Sequence, residues 1–323
     1  AAQSGTQRGD TMKRSTVVSG TAALAVTERG TPTADNETIV MVHGWPDRSD
    51  LWDPVAERLA DAASGPGHHV VTFDTRGVGH SLPATVHQPY TLDKLASDID
   101  TVIGATSPDR RVHLVGHDWG GVIGWEYVST DRCTTKLRSF TTVSGPNLDH
   151  TGEAMRSSPQ AAVRQGCKSL YTLVLSIPIV RTVLWRLGLA PLFRHWLKLT
   201  EGIDPSGGYP GPGLVADAIA AVPLYRSNIP RKVAAPEPRR ARVPVHQIVA
   251  TKDFYVSPSV LACSEQYVDE FTRSEVIAGH WSPRTDPERI ADLIAYAVAA
   301  HHNTSARQPT LTATDRIPEE STT

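Results

Sequence analysis

Asp118 stands at the centre of the stretch Val115-Gly-His-Asp-Trp-Gly-Gly121. A strand-like run, Val112 to Val115, leads into a Gly-x-x-x-Gly turn, and a helix-like pattern follows. A strand-to-helix turn of this kind is tight and crowded. It lifts its central side chain above the sheet, and the small residues Gly116 and Gly120 suit that crowding. A serine at the centre would need a neighbouring base before it could attack. An aspartate, with an ordinary pKa of about 3.9, is already an anion at neutral pH. A weakly basic carboxylate suits attack on an electrophilic sp³ carbon, which leaves an ester on the side chain. The competing reading is that Asp118 only caps the following helix.

Four further motifs follow apolar, strand-like runs. His43-Gly44-Trp45-Pro46 comes after Thr38 to Val42, and residues 74–81 (DTRGVGHS) come after His69 to Phe73. Asp253 follows a strand ending near Val249. Gly279-His280-Trp281 follows Glu275 to Ala278. Ligands of open α/β sheets bind at the carboxyl ends of strands, where all five motifs fall. His280 is the candidate base, since it lies on the loop before the final helix. Asp253 is the candidate orienting acid and Asp149 its rival. The order nucleophile, acid, base fits a strand–turn–helix nucleophile. The backbone N–H groups of Trp119 and Trp45 are candidates for an oxyanion hole. His43, with Gly44 and Pro46, reads as bracing for that loop.

The elements that must position these groups are legible as periodicity. The β-branched runs named above, with Phe140 to Val143 and Val243 to Val249, read as buried parallel strands. Leu92, Leu95, Ile99, Val102 and Ile103 share one helical face, and so do Ile290, Leu293, Ile294 and Val298. Strands alternating with helices predict an α/β fold, a mostly parallel sheet covered on both sides. The alternation stops after Pro146 and resumes at Val243. Residues 147–240 therefore read as an inserted helical lid, with residues 15–146 and 241–302 forming the core. Residues 1–14 and 303–323 are polar and read as unstructured.

The chain has 323 residues, 40% hydrophobic and 20% charged, with a formal net charge of -2. No basic patch with interleaved aromatics points to nucleic acid. Three scattered cysteines make neither a disulfide framework nor a metal motif, which favours a reducing, cytoplasmic setting. Met12-Lys13-Arg14 before Thr16 to Val26 has the outline of a weak signal peptide. Ser19, Gly20 and Thr21 break its apolar run, which reads better as a strand pair. No run approaches the roughly 18 apolar residues of a membrane helix.

Together, HGWPD (43–47), DTRGVGHS (74–81), GHDWGG (116–121), Asp253 and GHW (279–281) resemble the epoxide hydrolases of the α/β-hydrolase fold, over about residues 20–302. The resemblance implies that fold and no metal or organic cofactor. Haloalkane dehalogenases share these core motifs. Epoxide hydrolases of this fold add two lid tyrosines. Tyr171, seven positions before Pro178 and with Leu175 where the family has Phe, matches the first, and Leu224-Tyr225-Arg226 matches the second. A phenol, with a pKa of about 10, carries the proton that an opening epoxide needs, whereas a halide leaves as a stable anion and needs only donors. The indoles of Trp45 and Trp119 keep the dehalogenase alternative open, and a non-catalytic binder on the same fold is a third reading. Residues around SGPNLDH and the lid resemble most the hydrolase half of mycobacterial proteins that fuse an epoxide hydrolase to a short-chain dehydrogenase. That resemblance implies a dehydrogenase, fused or separate, as partner. The Leu- and Val-rich stretch from Leu170 to Leu199 suggests a small apolar epoxide as substrate, with lipid chains among the candidates, and water as co-substrate.

Overall fold

The first two strands, β1 (Lys13–Ser19) and β2 (Ala22–Arg29), form an antiparallel hairpin. The computed structural model describes residues 12–82, 90–158 and 182–302. The expectations for residues 1–11, for Tyr171 and for residues 303–323 lie outside the described residues. The hairpin starts at Lys13, inside the stretch read as unstructured, because Lys13 pairs in register with Glu28 and its ammonium reaches that carboxylate at 2.8 Å.

Six further strands follow. They are β3 (Thr38–Val42), β4 (His69–Phe73), β5 (Val112–His117), β6 (Leu137–Val143), β7 (Val245–Ala250) and β8 (Phe271–Val276). They join the hairpin in one eight-stranded sheet of order β1-β2-β4-β3-β5-β6-β7-β8, parallel from β4 onward. β3, β4, β5 and β7 are buried along their whole length, which accounts for their continuous apolar runs. β8 is different. It is an edge strand of sequence FTRSEV, half exposed, and it ends at Val276, so the base loop begins at Ile277 and not after Ala278. Its polar outer residues hid its start.

The chain passes from β3 outward to β4, then crosses back to β5 on the other side of β3. The carboxyl ends of β3 and β5 are therefore the switch point, where an open sheet leaves a crevice. Alternate side chains of β3 enter different layers. Val40 and Val42 pack with α2 (Leu92–Thr106) and α3 (Trp119–Val128). Ile39 and Met41 pack with α1 (Asp53–Ala60) and the last helix, Pro287–His301.

Among the described residues no strand lies between β6 and β7. That stretch holds α4 (Leu148–Ser157), a π-helical turn at Trp185–Leu189, α5 (Ala190–Glu201), α6 (Leu214–Ala221) and α7 (Pro223–Ala234). α6 and α7 are tied to the core by buried polar contacts. Arg48 pairs with Asp217 at 2.5 Å. Asn228 accepts from the Leu92 N–H at 3.0 Å and donates to the Tyr90 carbonyl at 2.7 Å. Lys232 bridges Asp149 at 2.6 Å and Glu126 at 3.0 Å. No described helix is long and apolar enough to cross a membrane.

Candidate active site

Asp118 sits between β5 and α3 with φ 51° and ψ −120°. A non-glycine residue there stores on the order of 1–3 kcal/mol of backbone strain. The surroundings enforce it: the Asp118 N–H donates to the Val143 carbonyl at 3.1 Å, and its carbonyl accepts from Val122 at 3.0 Å. A Cβ on Gly120 would stand 2.1 Å from the Val42 carbonyl oxygen, so only glycine lets α3 start this close to β3. A Cβ on Gly44 would stand 2.5 Å from the Asp118 Cβ. The 43–46 loop thus lies directly against the elbow. Asp118 is no ordinary cap. A capping residue has extended backbone and bonds to the second or third helical N–H, whereas the Asp118 carboxylate accepts from the first, Trp119, at 2.6 Å.

His43 holds the neighbouring loop. Its Nε2 accepts the Thr75 N–H at 2.9 Å, which leaves Nδ1 to donate to the Gly44 carbonyl at 2.8 Å. Burial lowers its pKa, in keeping with that neutral role. Trp45 and Pro46 both line the cavity above Asp118.

His280 and Asp253 meet at the same place. The imidazole Nδ1 donates to Asp253 Oδ2 at 2.7 Å, and Nε2 lies 3.5 Å from Asp118 Oδ1. The other Asp253 oxygen accepts the N–H groups of Tyr255 at 2.7 Å and Val256 at 2.9 Å. Burial alone would raise the Asp253 pKa; the His280 charge and these donors outweigh it and hold the carboxyl below its ordinary value. Burial likewise opposes charge on His280, but the Asp253 and Asp118 carboxylates hold its pKa well above the ordinary imidazole value. Asp149, the rival acid, is engaged elsewhere: it pairs with Lys232 and accepts the Glu237 N–H at 3.0 Å. Behind the dyad, His117 Nε2 donates to the His280 carbonyl at 2.8 Å. Burial, with the nearby His280 charge, pushes the His117 pKa down to about 3, so it is a neutral brace.

Above these groups lies a cavity of about 670 Å³. Asp118 and His280 form part of its floor; Trp185, Leu192, Trp196 and Leu199 form much of its roof. Tyr225 from α7 reaches in between the indoles of Trp45 and Trp119, with ring centroids 5.5 and 4.8 Å away. Trp45 Nε1 donates to the Ala218 carbonyl at 3.0 Å, so this indole N–H is spent on the roof's own backbone. The structure brings Asp118, His280, Asp253, Trp45, Trp119 and Tyr225 to one site.

Three residues near the site carry no assignment in the sequence reading. Tyr255 packs its ring 5.1 Å from that of His280 and accepts from Trp196 Nε1 at 3.1 Å. Its position two residues after Asp253 was a usable signal. Asp47, within the HGWPD motif, is buried and accepts from the Tyr209 hydroxyl and from Trp281 Nε1, the latter at 3.1 Å. Burial pushes its pKa up to about 7 despite these donors. Glu201 accepts the His280 N–H at 3.1 Å from 79 residues away in the chain, and nothing local in the sequence signals it.

Comparison with known proteins agrees with this geometry. A profile of the alpha/beta hydrolase fold matches residues 37–163. Probable oxidoreductase EphD of Mycobacterium tuberculosis is 34% identical over 281 residues, 83% of this chain and 46% of that protein. The chain thus spans about half the length of the mycobacterial relatives it matches. Epoxide hydrolase 3 of Xenopus tropicalis is 24% identical over 80% of this chain and 70% of its own length. Among solved structures, an epoxide hydrolase from Bacillus megaterium bound to a diol product superposes with a TM-score of 0.71, at 21% identity over 88% of this chain and 100% of that one. Sheet order, elbow and relatives agree: the chain has the α/β-hydrolase fold, and it is similar to epoxide hydrolases in sequence and structure.

Proposed function

We propose that this chain is an epoxide hydrolase that converts an apolar epoxide to a vicinal diol through an ester on Asp118. One observation carries the reading. An aspartate takes the nucleophile's place at the strained elbow, with the His280–Asp253 dyad 3.5 Å from its carboxylate and a tyrosine-bearing apolar roof above.

In the first step an Asp118 oxygen attacks a ring carbon and the C–O bond of the epoxide breaks. The Tyr225 hydroxyl donates its proton to the departing alkoxide, with Tyr171 as the proposed second donor. The new ester is uncharged. One of the two carboxylates that hold a proton on His280 is thereby neutralised, which favours the neutral imidazole that the second step needs. His280, oriented by Asp253, then takes a proton from water, and the hydroxide adds to the Asp118 carboxyl carbon. The Trp119 N–H, which donates to the resting carboxylate, holds the resulting oxyanion together with the Trp45 N–H in this reading. Collapse expels the ester alkoxide, which takes the proton from His280 and leaves as the diol. The proton left on the regenerated Asp118 carboxyl returns to the Tyr225 phenolate and closes the cycle.

The apolar lining, and a volume within the roughly 300–1,000 Å³ range of small-molecule sites, support an apolar substrate with lipid chains among the candidates. The oxidoreductase name of the mycobacterial relative, a protein about twice the matched length, supports a dehydrogenase partner. Dehalogenation asks for indole donors in the cavity, and the engagement of Trp45 with Ala218 weighs against it.

The intact mass of His280→Gln after exposure to matched epoxides and alkyl halides tests the reading. The expected result is a gain of the whole epoxide mass, abolished when Asp118→Ala is added. An alkyl adduct from halides with none from epoxides would overturn it.

A further inference from the structure

Glu201 ends α5, where a carboxylate meets the negative end of the helix dipole and is disfavoured. Its partners are in the base loop. Oε1 accepts the His280 N–H at 3.1 Å and Oε2 the Trp281 N–H at 3.4 Å. Gly279 admits it: a Cβ there would stand 2.2 Å from Oε2 and 2.5 Å from Oε1. The same helix presents Phe193 edge-on to Trp281, ring centroids 5.7 Å apart. The loop needs such support. It leaves edge strand β8, and Ile277 at its start is 78% exposed.

We infer that Glu201 is a positioning residue that ties the backbone of His280 and Trp281 to the roof helix, so that a docked α5 adds a third support, beside Asp253 and His117, to the alignment of the base on Asp118. α5 also lines the cavity with Leu192, Trp196 and Leu199. Opening the roof to admit substrate or release product therefore withdraws that third support. This rests on the reading of His280 as the base of the second step. It separates the two steps, because attack by Asp118 and protonation by Tyr225, on α7, make no direct use of the His280 backbone.

Two measurements on the full chain test it. Hydrogen exchange followed by mass spectrometry should show faster exchange at residues 279–281 in Glu201→Ala. Single-turnover kinetics with an epoxide should show ester hydrolysis slowed about tenfold in that variant, alkylation changed by no more than about twofold, and partial recovery in Glu201→Gln, which keeps one carbonyl acceptor. Unchanged exchange would overturn the inference. So would an equal loss in both steps without rescue by Gln. If Glu201→Ala fails to fold, Glu201→Gln carries the same test with a smaller effect. Absence of any ester in wild-type and His280→Gln protein would overturn the hydrolase reading instead, and the exchange data would still judge the Glu201 tether.

Discussion

The floor of the cavity and its roof are held by different means. On the floor each reactive group has a fixed backbone or a saturated set of partners. Asp118 is locked by a strained turn, Asp253 by two N–H donors and an imidazole, and His280 by Asp253 and His117. The roof divides in two. α6 and α7, which carry Tyr225, are pinned by ion pairs and amide hydrogen bonds. α5 meets the base loop through Glu201 and Phe193, and its Leu192 and Leu199 remain 66% and 69% exposed. On the proposed mechanism, pre-organisation is concentrated where charge develops, which is where it lowers a barrier most. α5, which shapes much of the cavity, is held to the core by Glu201 and by the apolar contacts of Phe193 and Leu197.

The contrast makes opposite predictions for the two sets of residues. On the proposed mechanism, floor variants should stall the second step with the ester intact. Asp253→Asn keeps the shape but removes the charge that orients and supports the imidazole, and ester hydrolysis should fall by about 10³- to 10⁴-fold. Rapid-quench mass spectrometry should show the ester accumulating. A matching fall in ester formation would erase the distinction between floor and roof.

The roof effect is next in size. Tyr225→Phe leaves the aromatic packing against Trp45 and Trp119 and removes only the hydroxyl. Ester formation should slow by about 10²-fold, the scale of a lost general acid partly covered by a second one, while hydrolysis of preformed ester changes little. A slower hydrolysis step with unchanged alkylation would show that the tyrosine serves the floor's chemistry, and the division would fail.

Legibility in the sequence followed the same division. The central strands and the elbow were readable because buried parallel strands are continuous apolar runs and the turn demands small residues at fixed spacing. β8 was misplaced by several residues, since this edge strand carries four polar residues in a row between Phe271 and Val276 and offers no such run. Asp253 was preferred because it follows its strand by a few residues; chain order fits Asp149 equally well, and the physical distinction is that Lys232, 83 residues away, engages Asp149. Tyr225 was found only through a family pattern. Glu201 and the Trp45–Ala218 contact join residues far apart in the chain, and no local propensity encodes them.

The smallest effect concerns a residue away from the cavity. His246 in β7 is buried and bonded to Thr272 at 2.7 Å, and burial pushes its pKa down to about 4 from an ordinary 6.5. Between those values the unfolded chain binds a proton that the folded chain refuses. The contribution of His246 is therefore complete above pH 6.5 and is lost as pH falls toward 4, by on the order of 2 kcal/mol at pH 5. Asp47 works the other way: with its pKa raised to about 7 against an ordinary 3.8, falling pH adds stability through that range. The whole-protein curve mixes such terms, and a variant isolates one of them. His246→Asn should flatten the fall in Tm between pH 7 and 5 by roughly 3–5 °C, with the rates of both catalytic steps at pH 7 unchanged. An unaltered slope would mean that His246 titrates alike in folded and unfolded chains. A changed hydrolysis rate would mean that this end of the sheet is coupled to the base.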